Sequence, residues 1–370
     1  MNNMMSILFA SGNENKLNEL TLHRTTASLP FGGRYRLIDF TLSNLVNSGV
    51  TQIGIITSSK YQSLMDHIRQ GRDWDLNRKN SGISVFPPFV FNSQANVYRG
   101  KIEAIYSILD FLEKSKEEYV VISNCNIATT INYEDILNKH IESGAKVTML
   151  THDGVTTTSR RIVISRDLNT NKVVDIYETE RVEEGVKELS LNSYIIEKEF
   201  LMQIVRDKYA RGIVDFETGI LFELVKNGEV FAYHVGKYAA IIDDVKTYYV
   251  ESMNLLNKDT REQLFDGTPV YTKVKDSVPT RYGDNAVVKN SLLADGCIID
   301  GTVENSILFR KVKVEKGAVV KDSIIMENGT IHANASVSYA ITDKDVVVSE
   351  GREISGYVTY PIVIVKGKIV

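Results

Sequence analysis

The first residues that could do chemistry lie just after a short apolar run near the start of the chain. Residues 7–10 are typical of a buried strand, and residues 11–16, Ser-Gly-Asn-Glu-Asn-Lys, follow as a loop. A strand, a tight loop and a helix start form a phosphate cradle, because loop N–H groups and helix N-termini favour anions. Such a loop needs glycines, but this one has only Gly12, and Glu14 adds a carboxylate. The position therefore predicts a nucleotide site, whereas the loop itself argues against one.

A second set of charged residues lies in the motif Phe-Gly-Gly-Arg-Tyr-Arg-Leu-Ile-Asp, which contains Arg34, Arg36 and Asp39. Two interpretations are open. The arginines could be a residual phosphate site, or the three residues could form an ion-pair network that orders a loop.

Single residues elsewhere also allow two interpretations. Cys125 could be a reactive thiol or a buried, inert cysteine at a strand end. Trp74 could pack an irregular loop, or could join nearby arginines in an effector or partner surface. We expect His23 and His67 to be solvated helix-face or loop residues without a catalytic role.

Composition excludes several classes of protein. The chain has 370 residues, 43% of them hydrophobic and 24% charged, with a net charge of −4. No basic run predicts a nucleic-acid or membrane partner. The two cysteines, Cys125 and Cys297, provide no disulfide framework or metal-ligand spacing. Without a signal-peptide pattern or an apolar run approaching 18 residues, we expect a cytoplasmic protein.

The N-terminal part, residues 1–258, alternates strand and helix patterns. Strands are predicted at residues 52–57, 119–122 and 146–150, and helices at 38–47, 61–70, 101–112 and 133–143. Short apolar strands between helices predict an α/β domain with a mostly parallel sheet. The irregular stretch 71–97 is long enough to be functional or lid-like.

The C-terminal part has a different periodicity. Residues 259–280 lose the pattern and are interpreted as a linker. In residues 281–370, related segments recur at 290–293, 305–308, 322–325 and 339–341. One inward aliphatic residue per short strand predicts a parallel β-helix, a type of solenoid that commonly assembles. A small β-sandwich with accidental spacing is the alternative.

These motifs closely resemble the bacterial glucose-1-phosphate adenylyltransferases over nearly the whole chain. Tyr98-Arg-Gly and the segment 248–256, Tyr-Tyr-Val-Glu-Ser-Met-Asn-Leu-Leu, strengthen the likeness. Within the family, the chain is most similar to the GlgD-type subunit, the partner of the catalytic GlgC-type subunit. The resemblance implies a Rossmann-like, GT-A-like nucleotidyltransferase domain followed by a left-handed parallel β-helix of hexapeptide-type repeats.

The family reaction joins ATP and glucose 1-phosphate into ADP-glucose and pyrophosphate for glycogen synthesis, with Mg²⁺ and cationic side chains neutralising charge. Active members have Gly-Gly-x-Gly-x-Arg where this chain has residues 11–16, so Ser11, Glu14 and Lys16 are degenerate positions. Lys16 keeps a charge but lacks the arginine fork. Thr26 replaces a phosphate-facing lysine. By this resemblance, the residual phosphate region consists of Gly12, Lys16, Arg34 and Arg36.

The metal positions implied by the resemblance are also altered. Cys125 stands at the first Mg²⁺-binding aspartate, and Mg²⁺ prefers hard oxygen ligands. Gapless alignment places Ile241 at the second aspartate, although a two-residue shift would bring Asp243 there. We therefore expect no metal site in this chain.

The sugar-phosphate side shows similar losses. The family's Glu-Lys-Pro is Glu178-Thr179 followed by a glutamate, and Ile162 stands for a pocket glycine. Tyr98, Glu178 and Ser190 match sugar-contacting positions and form the residual sugar-phosphate pocket.

These losses predict a regulatory, catalytically inactive subunit that needs no cofactor, while Mg²⁺ serves its catalytic partner. We expect a heterotetramer with that partner, and self-association or a sugar-phosphate effector are further options. The alternative is a weakly active or altered-specificity sugar-phosphate nucleotidyltransferase, supported by Lys16 and the pair Asp243-Asp244. A β-helix acyltransferase fits poorly, since His332 is the only histidine on the predicted coils.

Overall fold

The computed structural model describes residues 3–12, 14–58, 60–79, 81–88 and 98–370. Its N-terminal domain contains a nine-stranded sheet and two short antiparallel pairs beside it. The strands are β1 (Met4–Phe9), β2 (Pro30–Phe31), β3 (Tyr35–Arg36), β4 (Gln52–Ile56), β5 (Gly82–Phe86), β6 (Tyr119–Asn124), β7 (Ile127–Thr129), β8 (Val147–Gly154), β9 (Arg161–Arg166), β10 (Val173–Thr179), β11 (Lys187–Glu197), β12 (Val230–His234) and β13 (Ala239–Ile241).

Helices pack around this sheet. They are α1 (Glu14–Leu17), α2 (Leu37–Asn47), α3 (Gln62–Ile68), α4 (Lys101–Tyr106), α5 (Leu109–Lys114), α6 (Tyr133–Ser143), α7 (Lys198–Ala210), α8 (Phe222–Lys226), α9 (Val245–Asn254) and α10 (Lys258–Phe265). Shorter 3-10 turns span Asn18–Thr21, Thr26–Ser28 and Arg72–Trp74, and a π-helical turn spans Glu217–Leu221. Within the described ranges, no helix has the length and apolar character needed to cross a bilayer.

The sheet has a parallel centre with antiparallel strands added to it. Its main path runs β10-β9-β11-β6-β1-β4-β5, and the pairs joining β6, β1, β4 and β5 are parallel. The long strand β11 pairs antiparallel with β6, β8 and β9. The six residues of β1 are all buried, which is characteristic of a strand covered on both faces.

The predicted elements are present, with local differences. Strands β4, β6 and β8 confirm the three predicted strands, and α2, α3 and α6 confirm three helices. The predicted helix 101–112 is divided into α4 and α5, because the backbone at Ile108 departs from helical geometry. In the predicted irregular stretch 71–97, β5 extends the sheet, while residues 89–97 lie outside the described part of the chain.

The C-terminal domain is the left-handed β-helix, formed by three parallel five-stranded sheets. The first contains β14 (Arg281–Tyr282), β17 (Ile298–Ile299), β20 (Lys313–Val314), β23 (Thr330–Ile331) and β26 (Val347–Val348). The second contains β15 (Val287–Lys289), β18 (Thr302–Glu304), β21 (Val319–Lys321), β24 (Ser336–Ser338) and β27 (Glu353–Ser355). The third contains β16 (Leu292–Leu293), β19 (Ile307–Leu308), β22 (Ile324–Ile325), β25 (Ala340–Thr342) and β28 (Ile362–Ile364).

The recurring Asn/Asp-Ser segments explain how the coils stack. Asn290, Asn305 and Asp322 each turn a corner with positive φ, which Asn and Asp tolerate better than most residues. The serine after each corner forms a ladder: Ser306 N donates to Ser291 Oγ at 3.1 Å, and Ser323 N donates to Ser306 Oγ at 3.1 Å. The repeat therefore specifies both the corner and the contact to the preceding coil.

The predicted linker is ordered against the N-terminal domain. Its beginning is helix α10, and the following segment is held by Tyr271 N, which donates to Ser43 Oγ at 2.8 Å. An apolar cluster containing Phe31, Phe40, Ile307 and Phe309 joins the two domains. The β-helix consequently packs directly on the N-terminal domain.

Candidate functional site

A cleft of about 630 Å³ opens at the carboxyl ends of β1, β4 and β6. Ligands of open α/β sheets bind at this edge, so its position fits a substrate site. The loop after β1 forms one wall, and the start of α4 forms another. The described lining residues are Phe9, Ser11, Gly12, Glu14, Asn15, Lys16, Ile56, Thr57, Ser58, Lys60, Tyr98, Gly100, Lys101, Ala104 and Asn124.

The backbone of the loop after β1 forms hydrogen bonds with nearby side chains. Gly12 N donates to Glu14 Oε2 at 2.8 Å, so a carboxylate occupies a backbone donor of the loop. Thr26 Oγ1 donates to the Gly12 carbonyl, and Ser58 N donates to Ser11 Oγ at 2.8 Å. The side chains of Ser11, Glu14 and Thr26 thus hold the loop in place.

The lysines that line the cleft have acceptors within the protein. Lys16 Nζ donates to the Thr158 carbonyl at 3.0 Å, and Lys60 Nζ donates to the Thr21 carbonyl at 2.9 Å. Lys101 forms an ion pair with Glu217, whose side chain is 5% exposed. Lys60, Lys101 and Glu217 were not identified from sequence, because their contacts depend on the tertiary structure. The available signal was that Lys101 directly follows Tyr98-Arg-Gly.

The two positions implied as metal ligands are apolar or inert. Cys125 is buried, and burial raises the pKa of its thiol to about 12, which supports the inert interpretation of this cysteine. Ile241 is buried in β13 and pairs with Ile127. The space between Gly12, Thr26 and Cys125 amounts to about 10 Å³, roughly room for one water molecule.

The nearby carboxylates are engaged in structural contacts. Asp243 lies 2.8 Å from Arg161 Nη2 and accepts from Asn126 Nδ2 at 2.8 Å. Asp244 caps α9, accepting from Thr247 N at 2.7 Å. In the described ranges, no three His, Cys, Asp or Glu side chains are grouped as metal ligands. These residues do not fit Mg²⁺, which prefers oxygen ligands. Cys125 offers a thiol and Ile241 an aliphatic side chain, while the carboxylates of Asp243 and Asp244 are bound to other protein groups.

The three predicted sugar-contacting residues differ in their contacts, and only Tyr98 is part of the cleft lining. Glu178 forms an ion pair with Arg160 at 2.7 Å, and Arg160 also pairs with Asp215 at 2.9 Å. Ser190 is buried, and its Oγ accepts from Asn192 N at 3.0 Å. Ile162 is buried in β9, and Thr179 is buried at the end of β10.

Arg34 and Arg36 line a different pocket from Gly12 and Lys16. This junction pocket lies where the N-terminal domain meets the β-helix and has a volume of about 80 Å³. Its charged lining comprises six cations and two carboxylates: Arg34, Arg36, Lys273, Lys275, Arg310, Lys344, Asp66 and Glu327. The four residues predicted as one phosphate region therefore belong to two sites.

Burial and mutual proximity shift the pKa values of the charged groups in the junction pocket. Burial lowers the pKa of Arg36 to about 10, although Asp39 opposes the shift. Burial and neighbouring cations also lower the pKa of Lys273. Burial would raise the pKa of Glu327, but Lys344 and Lys275 outweigh it and hold that pKa at about 2. The pocket lining is therefore cationic, with six cations and two carboxylates, although Asp39 lies beside Arg36 and Asp295 pairs with Arg310 outside it.

His67 contacts both Asp39 and Trp74 inside the N-terminal domain, so it is buried rather than solvated. Asp39 Oδ2 accepts from Arg36 N at 2.9 Å, and its Oδ1 lies 2.5 Å from His67 Nε2. Trp74 is buried and packs edge-on against His67, with ring centroids 5.8 Å apart. His23 is exposed. These contacts favour loop ordering for Asp39 and packing for Trp74.

Comparison with known proteins supports the relationship indicated by the motifs. Residues 5–255 match the family "Nucleotidyl transferase", and residues 276–357 match "GlmU-like, C-terminal hexapeptide". The glycogen biosynthesis protein GlgD of Bacillus subtilis is 33% identical over 369 residues, covering 100% of this chain and 97% of the relative. GlgD of Geobacillus stearothermophilus is 36% identical over 322 residues, with coverages of 86% and 83%.

A glucose-1-phosphate adenylyltransferase of Bacillus mycoides is 33% identical over 355 residues, covering 94% of this chain and 93% of the relative. The nucleotidyltransferase-type sheet, the β-helix and these near full-length matches agree with one another. This chain therefore belongs to the nucleotidyltransferase family that contains the GlgD glycogen biosynthesis proteins and the glucose-1-phosphate adenylyltransferases.

Proposed function

We propose that this chain is a cytoplasmic, regulatory and catalytically inactive subunit of glucose-1-phosphate adenylyltransferase. It pairs with a catalytic paralogue that makes ADP-glucose and pyrophosphate from ATP and glucose 1-phosphate, and it raises that enzyme's activity. Mg²⁺ belongs to the catalytic partner, and this chain uses no cofactor.

The observation that carries this proposal is the charge arrangement in the cleft. Phosphoryl transfer relies on metal ions and free cations to neutralise developing charge. Here Glu14 is bonded to the loop N–H of Gly12, and Lys16 is bonded to a backbone carbonyl. Cys125 supplies a buried thiol where an acidic ligand is expected. The scaffold is intact, while the groups that the chemistry requires are replaced or engaged.

A regulatory role also needs contact surfaces and a way to sense metabolites. The β-helix supports assembly into a heterotetramer, because its end strands and the exposed Tyr357 and Tyr360 are available for contacts. The junction pocket supports a sugar-phosphate effector, since clustered arginines and lysines suit phosphate. Its place between domains would let an effector alter how they pack.

The test is co-expression with a catalytic paralogue, followed by native mass measurement and an assay of ADP-glucose formation. The proposal predicts a mixed assembly with higher activity than the paralogue alone, and no product from this chain alone. Separate homo-oligomers with additive activity would contradict it.

The second candidate is a weakly active or altered-specificity nucleotidyltransferase. The open cleft of about 630 Å³ favours it, because a ligand could still enter. Product formed by this chain alone, from ATP or another nucleotide with a sugar phosphate, would support this candidate over the first.

A further inference from the structure

The loop after β1 contains a carboxylate where a nucleotide-binding loop would receive a phosphate. Gly12 N donates to Glu14 Oε2 at 2.8 Å, and Thr26 N lies 3.5 Å from Glu14 Oε1. Hydrogen bonds between a backbone N–H and a carboxylate are stronger than those between neutral groups. The loop donor therefore has an anionic acceptor supplied by the protein.

The main-chain carbonyl of Glu14 is also held by a hydrogen bond. Its carbonyl accepts from Thr21 Oγ1 at 2.9 Å, which joins the loop to the following 3-10 turn. Thr26 Oγ1 donates to the Gly12 carbonyl from the other side. These contacts fix the main chain at Gly12 and at Glu14, so the Glu14 side chain begins within reach of Gly12 N.

A phosphate entering this end of the cleft would meet like charge. It would have to displace the Glu14 carboxylate from Gly12 N and then lie beside it, at a cost set by Coulomb repulsion. Three lysines of the described cleft lining could offset this repulsion, but each has an acceptor within the protein. Lys16, the one nearest in sequence, is directed to the Thr158 carbonyl and lies 3.8 Å from Glu180. The remaining cleft is large, so the obstacle to phosphate is local charge and not lack of room.

We propose that Glu14 is a specificity-determining residue that replaces a nucleotide phosphate as the acceptor for the loop and excludes polyphosphates from the cleft. This inference goes beyond the regulatory role because it concerns ligand selection by the isolated chain. It holds or fails whether or not a catalytic partner exists.

The experiment measures binding of inorganic tripolyphosphate by calorimetry, without metal and at fixed ionic strength. All proteins compared, including the otherwise unchanged chain, carry Lys273→Ala, which should weaken phosphate binding in the junction pocket. The variants are Glu14→Ala, which removes the charge and both acceptor oxygens, and Glu14→Gln, which removes the charge but keeps one acceptor oxygen. Glu19→Gln is the matched control, because Glu19 is an exposed carboxylate five residues away and carries the same charge change. Thermal unfolding of each variant shows whether the fold is retained.

We expect Glu14→Ala to bind tripolyphosphate on the order of tenfold more tightly than the unchanged chain, and Glu14→Gln to show a smaller gain. The control should remain within about twofold, because an exposed charge is screened. Equal affinity in the unchanged chain and both Glu14 variants would overturn the inference. An equal gain in the control would also overturn it, since general charge would then explain the effect. Because the partner is absent, no outcome depends on the proposed function.

Discussion

Arg24 of the N-terminal domain and Asp343 of the β-helix form a buried ion pair. Arg24 Nη2 lies 2.8 Å from Asp343 Oδ1 and 2.9 Å from Oδ2. The two side chains are 5% and 2% exposed, and 319 residues separate them in the sequence. This contact, together with the apolar cluster around Phe31 and Ile307, fixes the β-helix on the N-terminal domain.

Replacing Asp343 with asparagine should destabilise the protein strongly. The change leaves the Arg24 guanidinium buried without its counter-charge, and breaking such a pair costs about 3 kcal/mol or more. Urea unfolding measures the effect. Asp345→Asn is the control, because Asp345 is partly exposed and lies 3.9 Å from Lys366, and it should cost less than about 1 kcal/mol. Equal losses in both variants would contradict the role assigned to the buried pair.

The two cysteines should not react with thiol reagents in the folded protein. Both are free and buried, and burial raises the pKa of Cys125 to about 12, so almost no reactive thiolate forms at pH 8. Titration with a disulfide reagent should detect no rapid thiol in the native protein and both thiols after denaturation. Rapid native labelling of Cys125 would revive its interpretation as a reactive residue.

Stability should fall as the pH decreases from about 6.5 toward 4. Burial lowers the pKa of His140 to about 4, and His140 Nδ1 lies 2.8 Å from Thr148 Oγ1. In this window the unfolded chain binds a proton that the folded protein does not, so acid favours unfolding. His140 alone should contribute a loss of about 2 kcal/mol between pH 7 and pH 5.

Urea unfolding at several pH values tests this dependence with two variants. His140→Gln should flatten the pH dependence, although His152, whose pKa burial also lowers to about 4, should leave part of it. Asn138→Ala, an exposed substitution on the same helix as His140, should leave the dependence unchanged, because it removes no titratable group. An identical slope in the His140 variant and the unchanged chain would show that His140 does not titrate as described.

The junction pocket should bind phosphate through its clustered cations. Lys273→Ala removes one of them and should weaken binding of glucose 1-phosphate and inorganic phosphate by about three- to tenfold. Lys289→Ala is the control, because Lys289 is exposed on β15, outside this pocket. Calorimetry on the isolated chain provides the dissociation constants. Unchanged binding in the Lys273 variant would argue against an effector at this position.

Much of the architecture could be predicted, because periodic sequence patterns specify its strands and coils. The apolar residues 7–10 predicted a buried strand there, although β1 begins earlier, at Met4, and includes the buried Ser6. The Asn-Ser segments specify corners and ladders in consecutive coils. The antiparallel course of β11 could not be read in this way, since a buried strand has the same apolar pattern in either direction. Helix α10 was missed because its residues are mostly polar and only Leu264 is buried.

The site was only partly predictable, for a related reason. Residue types at Glu14, Cys125 and Ile241 already differ from those that the resemblance implies for an active member. Sequence order could not show that Arg34 and Arg36 lie in the junction pocket, because that pocket also depends on residues from the linker and the β-helix. The pairing of Lys101 with Glu217 likewise joins residues 116 positions apart.

The most direct test of the central claim uses a mixed assembly in which only the partner is disabled. This chain is co-purified with a catalytic paralogue that lacks its metal-binding aspartate, and ADP-glucose formation is measured with ATP, glucose 1-phosphate and Mg²⁺. The same assembly with an unaltered paralogue is the positive control. If this chain is regulatory, the disabled assembly forms no ADP-glucose above background, whereas the control is fully active. ADP-glucose formed by the disabled assembly at a rate comparable to the control would show that this chain performs the chemistry itself.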